Sequence, residues 1–281
     1  MTSRRPLTGA FIALEGGDGA GKSTQLEMLA AALRRRGLVD TAGRPDLVLT
    51  REPGGTQVGQ EIRQTLLHGG EVAPVAEALL YAADRAQHVA AVVLPALERG
   101  AVVLTDRYLD SSIAYQVEGR GLTEAQVRGM NAYATGGLLP HLTVLLDIDP
   151  KEAALRQAAS GGPLDRMERA GLGFHQRVNA RYRSLMAADP ERYAVVNAAQ
   201  PPEVVHSQVL ASVMAILADL GLAELPGSAR RGKHARPAGA RVAVAAAAGH
   251  AAAAGVTGPA AQAGAGQPGQ GLGSGGRRVA Q

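Results

Sequence analysis

Residues 16–23 have the types and the spacing of a phosphate-binding loop. Gly16 is followed, after four other residues, by Gly21, Lys22 and Ser23, which fits the pattern G-x-x-x-x-G-K-[ST]. Glycines allow main-chain N–H groups to turn inward and surround phosphate oxygens. The lysine supplies a cation for the outer phosphates, and the serine hydroxyl can ligate Mg2+. The segment predicts nucleotide binding, with a chance glycine-rich turn as the alternative.

This chemistry requires a strand before the loop and a helix after it. The apolar run at 11–14 predicts a short buried strand. After the loop, leucines and alanines recur at helical spacing as far as Leu33, and Gly37 stands where a helix stop is expected. A helix that begins at the loop adds about half a positive charge beside the phosphates. Both flanking elements are therefore predicted, which favours nucleotide binding.

Short apolar runs alternate with helical patterns along most of the chain. This alternation predicts an α/β fold with three layers, in which a five-stranded parallel sheet carries helices on both faces, as in P-loop nucleotide-binding enzymes. The predicted strands lie at 11–14, 47–49, 102–104, 143–146 and 195–196. The predicted helices lie at about 22–36, 58–66, 74–99, 123–134, 164–186 and 205–220, and another begins at Pro150. Thr123 with Gln126 predicts a capping box, Asp149 before Pro150 predicts a helix start, and Val58 and Leu79 lie on predicted apolar faces.

Charged residues follow the predicted strands, at the sheet edge where ligands gather. Arg51 follows the second strand, and Asp106 and Arg107 follow the third. Asp106 stands where triphosphate-using enzymes place a carboxylate near the metal, although a strand-end acid in a salt bridge is the alternative. Arg107 can form a two-pronged contact with a phosphate. Asp18 lies inside the loop, where an acid beside anions is costly unless it faces a metal or a hydroxyl.

Composition excludes several classes of chemistry. The chain has no cysteine, which excludes disulfides, thiolate catalysis and cysteine-ligated zinc. No apolar run suits a signal peptide or a membrane span, so a cytoplasmic protein is expected. The formal charge of +4 is misleading, because seven basic residues follow Glu224 and no acid does, which leaves residues 1–224 at −3. The folded domain is therefore not expected to bind nucleic acid.

The last part of the chain differs from the rest. Residues 223–281 are rich in Ala, Gly and Pro and contain no aromatic residue. Such a segment cannot bury enough apolar surface to offset its ordering entropy, so a disordered tail is predicted. A basic cluster at 230–236 could contact nucleic acid or acidic lipid, but a solvated tail is favoured and its partner is unknown.

Taken together, these segments resemble the bacterial thymidylate kinases over about residues 8–222. The matching stretches are EGGDGAGKSTQ at 15–25, TREPGG at 50–55, AEALLYAADRAQH at 76–88, DRYLDSSIAYQ at 106–116, GRGL at 119–122, LLDIDP at 145–150 and LDRME at 164–168. Several long matches in one order are specific, whereas a lone phosphate loop is not.

The resemblance implies a function and an organisation. A kinase domain would span 10–222, after a lead-in at 1–9, with a mobile lid at about 156–168. It would transfer the γ-phosphoryl group of ATP to dTMP with Mg2+, giving dTDP and ADP on the route to dTTP for DNA synthesis. The resemblance also implies a cytoplasmic homodimer without a membrane or nucleic-acid partner for the folded domain.

The same resemblance assigns site residues. The ATP set is Gly16, Gly17, Asp18, Gly19, Ala20, Gly21, Lys22, Ser23 and Thr24. The dTMP set is Asp18, Arg51, Pro53, Tyr81, Arg85, Arg107, Ser112, Tyr115 and Gln116. The metal would be held by Ser23 and Asp106, and the catalytic set is Lys22, Asp18, Arg107, Arg51, Arg156 and Arg166.

The implied roles divide the substrate among these side chains. Asp18 would contact the sugar 3′-hydroxyl, and Arg107 would hold the acceptor phosphate. Tyr81 would stack on thymine, where the family usually has Phe, and Arg85 would hydrogen-bond the base. Tyr115 would crowd the sugar 2′ position and so favour deoxyribose. Half-buried aromatic residues without a substrate role are the alternative for the two tyrosines.

The sequence departs from the family pattern at the catalytic arginine. The middle of the loop at 18–20 contains no arginine, so the lid should supply one. An arginine common before the lid turn is absent at 159–162. The remaining arginines predict that Arg156 or Arg166 closes on the phosphates, while Arg169 lies further along.

Three other functions are compatible with parts of the sequence. The first is a kinase for another nucleoside monophosphate. The second is a GTP-hydrolysing switch protein, but the chain lacks an Asn-Lys-x-Asp guanine motif. The third is a weakly active chain whose tail recruits a partner.

Overall fold

The computed structural model describes residues 6–37, 47–118, 121–161 and 165–222. These residues belong to one compact unit. They form a five-stranded sheet of β1 (Ala10–Glu15), β2 (Leu47–Arg51), β3 (Val102–Asp106), β4 (Leu142–Asp147) and β5 (Tyr193–Asn197). The strand order is β2-β3-β1-β4-β5, and every pair is parallel. The predicted parallel sheet is confirmed, whereas the predicted disordered tail lies outside the described residues.

Helices cover both faces of this sheet, which confirms the three-layer prediction. The α-helices are α1 (Lys22–Arg35), α2 (Gln57–His68), α3 (Pro74–His88), α4 (Leu94–Glu98), α5 (Leu109–Ser112), α6 (Glu124–Thr135), α7 (Pro150–Ser160), α8 (Leu172–Ala188) and α9 (Pro202–Asp219). Two π-helical segments, Val89–Val93 and Ile113–Val117, follow α3 and α5, and 3-10 turns occupy Glu168–Ala170 and Pro190–Arg192.

The central strand β1 is buried along its whole length, as a parallel strand between two helical layers must be. Alternate residues point to opposite faces. Ile12 and Leu14 pack into a cluster with α1 and α9, while Phe11 and Ala13 pack into the cluster on the opposite face. The carboxyl end of β1 leads directly into the phosphate loop, so the deepest strand of the core positions it.

Two predicted helix starts are confirmed by their side-chain caps. Thr123 and Gln126 form the expected capping box at the start of α6. Asp149 accepts a hydrogen bond from the Lys151 amide at the start of α7, with Pro150 at the first helical position.

The helix predicted over 164–186 is wrong at its start, because α8 begins only at Leu172. The Asp165 carboxylate accepts hydrogen bonds from the main-chain N–H groups of Met167 and Glu168, which fixes a turn there. Gly171 then adopts φ +84°, a left-handed conformation outside the helical range.

The predicted helix over 74–99 is continuous, but it is α-helical only in its first and last parts. Pro95 has no N–H for the preceding turn, and the π-helical segment lies directly before it. Two positions assigned to apolar faces are exposed, Leu79 to 51% and Val58 to 48%. Helical spacing identifies an apolar stripe but not what covers it.

Candidate active site

The phosphate loop is held between β4 and α7 by two glycines. A Cβ atom at Gly16 would lie 2.6 Å from the Leu146 carbonyl oxygen, and one at Gly19 would lie 2.4 Å from that of Ala153. Both glycines also have left-handed φ values, of 140° and 78°. The loop can therefore lie this close to its neighbours only because these positions carry no side chain.

The ammonium group of Lys22 lies inside the loop. Its Nζ atom donates hydrogen bonds to the carbonyl oxygens of Gly16, at 3.0 Å, and Gly17, at 2.7 Å. Burial, together with the charge of Arg107, lowers the pKa of this lysine from its ordinary value. Polyphosphate oxygens arriving in the loop would offer this cation stronger partners than carbonyl groups.

Ser23 and Asp106 come together although 83 residues separate them. The Ser23 hydroxyl donates to Oδ2 of Asp106 at 3.0 Å. The other carboxylate oxygen, Oδ1, is buried and has no hydrogen-bond partner in the described part of the chain. Mg2+ prefers one or two carboxylate or hydroxyl oxygens together with water and substrate phosphates. This pair therefore fits the predicted metal site, and no larger cluster of His, Asp or Glu forms among the described residues.

Asp18, Arg107 and Tyr115 form a connected group beside the loop. Arg107 Nη2 donates to Asp18 Oδ1 at 2.5 Å, and the Tyr115 hydroxyl donates to Asp18 Oδ2 at 2.9 Å. Burial opposes the charge of Asp18, but Arg107 and Lys22 hold its pKa below the ordinary value. The lowered pKa favours the ionised form of Asp18, and its predicted contact with the sugar 3′-hydroxyl stays a prediction.

The backbone of Arg107 is unusual. Its φ of 69° is the only left-handed value of a residue other than glycine among the described residues. Its N–H donates to the carbonyl oxygen of Leu14 at 3.0 Å, which ties this turn to the end of β1. The guanidinium lies 5.0 Å from the centroid of the Tyr115 ring. The turn directs the guanidinium towards the phosphate loop.

Arg85 is fully buried at the far end of the site. Its Nε donates to Glu52 at 2.6 Å, and its Nη1 donates to Ser112 at 2.9 Å and also to Asn131. Its Nη2 donates to the Tyr108 carbonyl oxygen at 3.0 Å. These contacts use four of the five N–H groups of a guanidinium, which leaves one for a ligand.

The carboxylate of Glu52 binds a second side chain besides Arg85. It also accepts a hydrogen bond at 2.7 Å from Nδ1 of His88, whose Nε2 lies 2.7 Å from the Thr50 hydroxyl. Next to it, Asp84 accepts from the Gly54 N–H at 3.0 Å. Burial and the charge of Glu52 raise the pKa of Asp84 to about 6.

One cavity of about 940 Å3 brings most of the predicted residues together. Its lining includes Arg51, Pro53, Tyr81 and Gln116. The side-chain oxygen of Gln116 is buried and has no hydrogen-bond partner within the described ranges. Gly16, Gly17 and Arg166 are the predicted residues that do not line it.

The chain is similar to a family of known proteins over most of its length. The family model described as "Thymidylate kinase" matches residues 14–209. This range contains the phosphate loop and each of the other site residues. The chain belongs to the thymidylate kinase family.

Curated relatives with the name "Thymidylate kinase" are similar over nearly their whole length. That of Clavibacter sepedonicus is 52% identical over 213 residues, which are 75% of this chain and 98% of the relative. That of Leifsonia xyli subsp. xyli is 54% identical over 210 residues, 74% of this chain and 95% of the relative. The crystal structure of thymidylate kinase from Ehrlichia chaffeensis is 28% identical, has a TM-score of 0.58, and is matched over 73% of this chain and 98% of that one.

The two candidate lid arginines of this family member are both bound to other groups. Arg156 donates to the carbonyl oxygens of Ala198, at 2.6 Å, and Ala199, at 2.9 Å, and to Glu152. Arg166 donates to the Leu66 carbonyl oxygen and pairs at 2.5 Å with Glu77, which is 0% exposed. Their assignment to the phosphates stays a prediction, and residues 162–164 of the predicted lid lie outside the described residues.

Several supporting residues were not predicted from the sequence, among them Glu15, Ser111 and Tyr182 near Arg107. Glu15 and Ser111 lie in stretches that match the family, so their position could have identified them. Tyr182, on α8, has no local signal, yet its hydroxyl lies 2.9 Å from the carboxylate of Glu15. Burial and the charge of Asp110 raise the pKa of Glu15.

Proposed function

We propose that this chain transfers the γ-phosphoryl group of ATP to dTMP, the reaction for which its family is named, and so supplies dTDP for dTTP and DNA synthesis. One observation carries the proposal. A single cavity is lined by the phosphate loop, by Arg85, and by Asp18 and Arg107, which form an ion pair with each other. That arrangement suits the γ-phosphate of ATP and the phosphate of dTMP, which must be aligned for the transfer.

The protein needs little covalent chemistry for this transfer. The phosphate of dTMP is already a nucleophile, so catalysis consists of alignment and neutralisation of charge on the transferring group. Lys22 is positioned to follow the outer phosphates of ATP. Mg2+, held by the Ser23 hydroxyl and the Asp106 carboxylate, would neutralise further phosphate charge.

The acceptor base would be recognised by one donor and one acceptor. Arg85 has one N–H left for a carbonyl oxygen such as O4 of thymine. The unpaired oxygen of Gln116 can accept from N3–H. Cytosine presents an amino group and an unprotonated N3 at these positions, so both contacts would be lost and the free polar groups would remain unpaired. Tyr81 forms part of the wall beside this base.

The phosphate of dTMP would lie at Arg107. Its Nη2 is bound to Asp18, and a phosphate oxygen could take over part of that contact. Asp18 would then accept from the sugar 3′-hydroxyl. The Tyr115 ring, which lies under the guanidinium, would occupy the space that a 2′-hydroxyl needs. Arg51 is exposed at the cavity wall and is available to the transferring group.

We assign the role of the lid arginine to Arg156 rather than to Arg166. Arg156 lines the cavity and lies one turn after Ala153, which contacts the phosphate loop. Its ion pair with Glu152 is exposed and its other partners are the neutral carbonyl oxygens of Ala198 and Ala199, so its release would leave no buried charge unpaired. Moving Arg166 would withdraw a guanidinium from the buried carboxylate of Glu77, which is costly.

A homodimer and a cytoplasmic location complete the proposal. No helix in the described ranges is long and apolar enough to cross a bilayer. On α3, Val75 and Leu79 are one turn apart and exposed to 55% and 51%, which suits a face that a second copy covers. Light scattering of the purified chain tests the dimer, and a monomer at micromolar concentration would contradict it.

A panel of acceptors tests the central proposal. The purified chain is given ATP and Mg2+ with dTMP, dUMP, CMP, GMP or AMP, and ADP formation is measured. We expect dTMP to have the highest kcat/KM. We also expect CMP to be at least about 10³-fold poorer, because it leaves the free N–H of Arg85 and the oxygen of Gln116 unpaired. A preference for any other acceptor would overturn the assignment.

A further inference from the structure

Three oxygens hold one edge of the Arg107 guanidinium. Its Nη1 donates to the Ser111 hydroxyl at 3.0 Å, to the Gly16 carbonyl oxygen at 3.2 Å and to the Tyr182 hydroxyl at 3.3 Å. The other nitrogen, Nη2, faces Asp18 and Tyr115. The side chain is therefore oriented so that one edge is fixed by protein and the other edge is directed at the predicted acceptor phosphate.

A buried carboxylate lies behind two of those oxygens. Glu15 Oε2 accepts from the hydroxyl of Ser111 at 2.6 Å and from that of Tyr182 at 2.9 Å. Its Oε1 accepts from the main-chain N–H groups of Tyr108, at 2.8 Å, and Ser111, at 3.2 Å. The same acid thus supports the turn that carries Arg107 and binds both hydroxyls that contact its side chain.

The direction of these bonds follows from the chemistry of a hydroxyl. Each hydroxyl has one O–H to donate and two lone pairs. The two hydroxyls lie 2.9 Å apart, but the carboxylate of Glu15 is the stronger acceptor. It therefore takes the O–H of both Ser111 and Tyr182, and their lone pairs remain for the N–H groups of Arg107. A neutral side chain in place of Glu15 would not enforce this orientation, and a hydroxyl turned the other way could not accept from the guanidinium.

We propose that Glu15 and Tyr182 are positioning residues that hold Arg107 in place for the phosphate of the acceptor nucleotide. This inference rests on the proposed role of Arg107. Neither residue lines the cavity, so both would act through the arginine and not by touching substrate. Tyr182 reaches this point from α8, the helix that follows the predicted lid.

The test compares a ligand that has the phosphate with one that lacks it. Tyr182→Phe removes only the hydroxyl. We expect calorimetry to show about a fivefold weaker Kd for dTMP, since one hydrogen bond that fixes the arginine is lost. The Kd of thymidine and the KM of ATP should change by less than about twofold, because neither is expected to bind the guanidinium of Arg107. Tyr133→Phe, at an exposed tyrosine of α6, is the matched control.

Two further variants separate this inference from the proposed function. Arg107→Ala should weaken dTMP binding by more than Tyr182→Phe does, and in that background Tyr182→Phe should have little further effect. If Arg107→Ala binds dTMP normally, the proposed role of Arg107 is wrong. The positioning role is wrong if Arg107→Ala weakens dTMP binding and Tyr182→Phe leaves it unchanged. It is also wrong if Tyr182→Phe raises the Kd of thymidine as much as the Kd of dTMP.

Glu15→Gln provides an independent measurement with a side chain of nearly the same size. We expect a loss of dTMP affinity at least as large as that of Tyr182→Phe, again without an effect on thymidine. A melting temperature measured for each variant shows whether it is folded. If Glu15→Gln does not fold, the result for Tyr182→Phe decides the question.

Discussion

The part of the cavity proposed for ATP, the donor end, and the part proposed for dTMP, the acceptor end, are built in different ways. The proposed donor end is one continuous loop, whose glycine backbone and Lys22 ammonium group would bind the phosphates of ATP. The acceptor end gathers buried side chains from separate elements, among them Glu52 from the end of β2, Arg85 from α3 and Asn131 from α6. Main-chain binding needs only a local conformation, whereas a network of buried charges needs the whole fold to be in place.

Removing the charge of Lys22 should have the largest effect and should be confined to the donor end. Lys22→Met keeps the length of the side chain but leaves the outer phosphates without their cation. We expect kcat to fall by about 10³-fold. The Kd of dTMP, measured by calorimetry without ATP, should change by less than about threefold. An equal loss of dTMP affinity would show that the two ends are not separable.

Removing the charge of Arg85 should damage stability as well as binding. Arg85→Met leaves the buried carboxylate of Glu52 without its guanidinium partner. We expect the free energy of unfolding in urea to fall by about 3–5 kcal/mol, the usual cost of breaking a buried ion pair.

The matched control is Arg128→Met on α6, whose partner Glu124 lies four residues away on an exposed face. We expect a change in the free energy of unfolding of less than about 0.5 kcal/mol there. Similar losses for the two variants would contradict the description of the acceptor end as a buried charged network.

The two lid arginines should respond differently to truncation. Arg156→Ala should lower kcat by about 10²-fold, because a cation near the transferring group is lost. Arg166→Ala should keep most of its turnover and should instead lower the melting temperature, because Glu77 loses its partner. Near wild-type turnover for both variants would reject a lid arginine altogether.

The smallest expected effect is on how the free energy of unfolding depends on pH, through Asp84 at the acceptor end. Burial and Glu52 raise the pKa of Asp84 from 3.8 to about 6, so the folded state binds this proton more tightly than the unfolded state. The contribution of Asp84 to the free energy of unfolding therefore becomes more favourable as pH falls from about 7 towards 4. Asp84→Asn keeps an oxygen for the Gly54 N–H and removes the charge beside Glu52.

We expect Asp84→Asn to raise the free energy of unfolding by about 1–2 kcal/mol at pH 8 and to have almost no effect at pH 4.5. Urea titrations at the two pH values check this difference. A variant that is destabilised equally at both would show that the carboxylate is favoured in its charged form.

The difference between the two ends also explains what could be predicted from the sequence. The loop, the strand before it and the helix after it were predicted because their interactions are local. The capping box of Thr123 and the cap at Asp149 were predicted for the same reason. The sequence by itself therefore determined the parallel sheet, the phosphate loop and the family.

Only the tertiary structure decided which side chains support the site and which bind groups outside it. The contact between Glu15 and Tyr182 spans 167 residues, and no spacing in the sequence encodes it. Arg166, one of the two candidate lid arginines, binds Glu77, and Leu79, on a predicted apolar face, is exposed. The physical reason is the same in each case: hydrogen bonds and burial depend on which surfaces meet in space, and local sequence patterns do not contain that information.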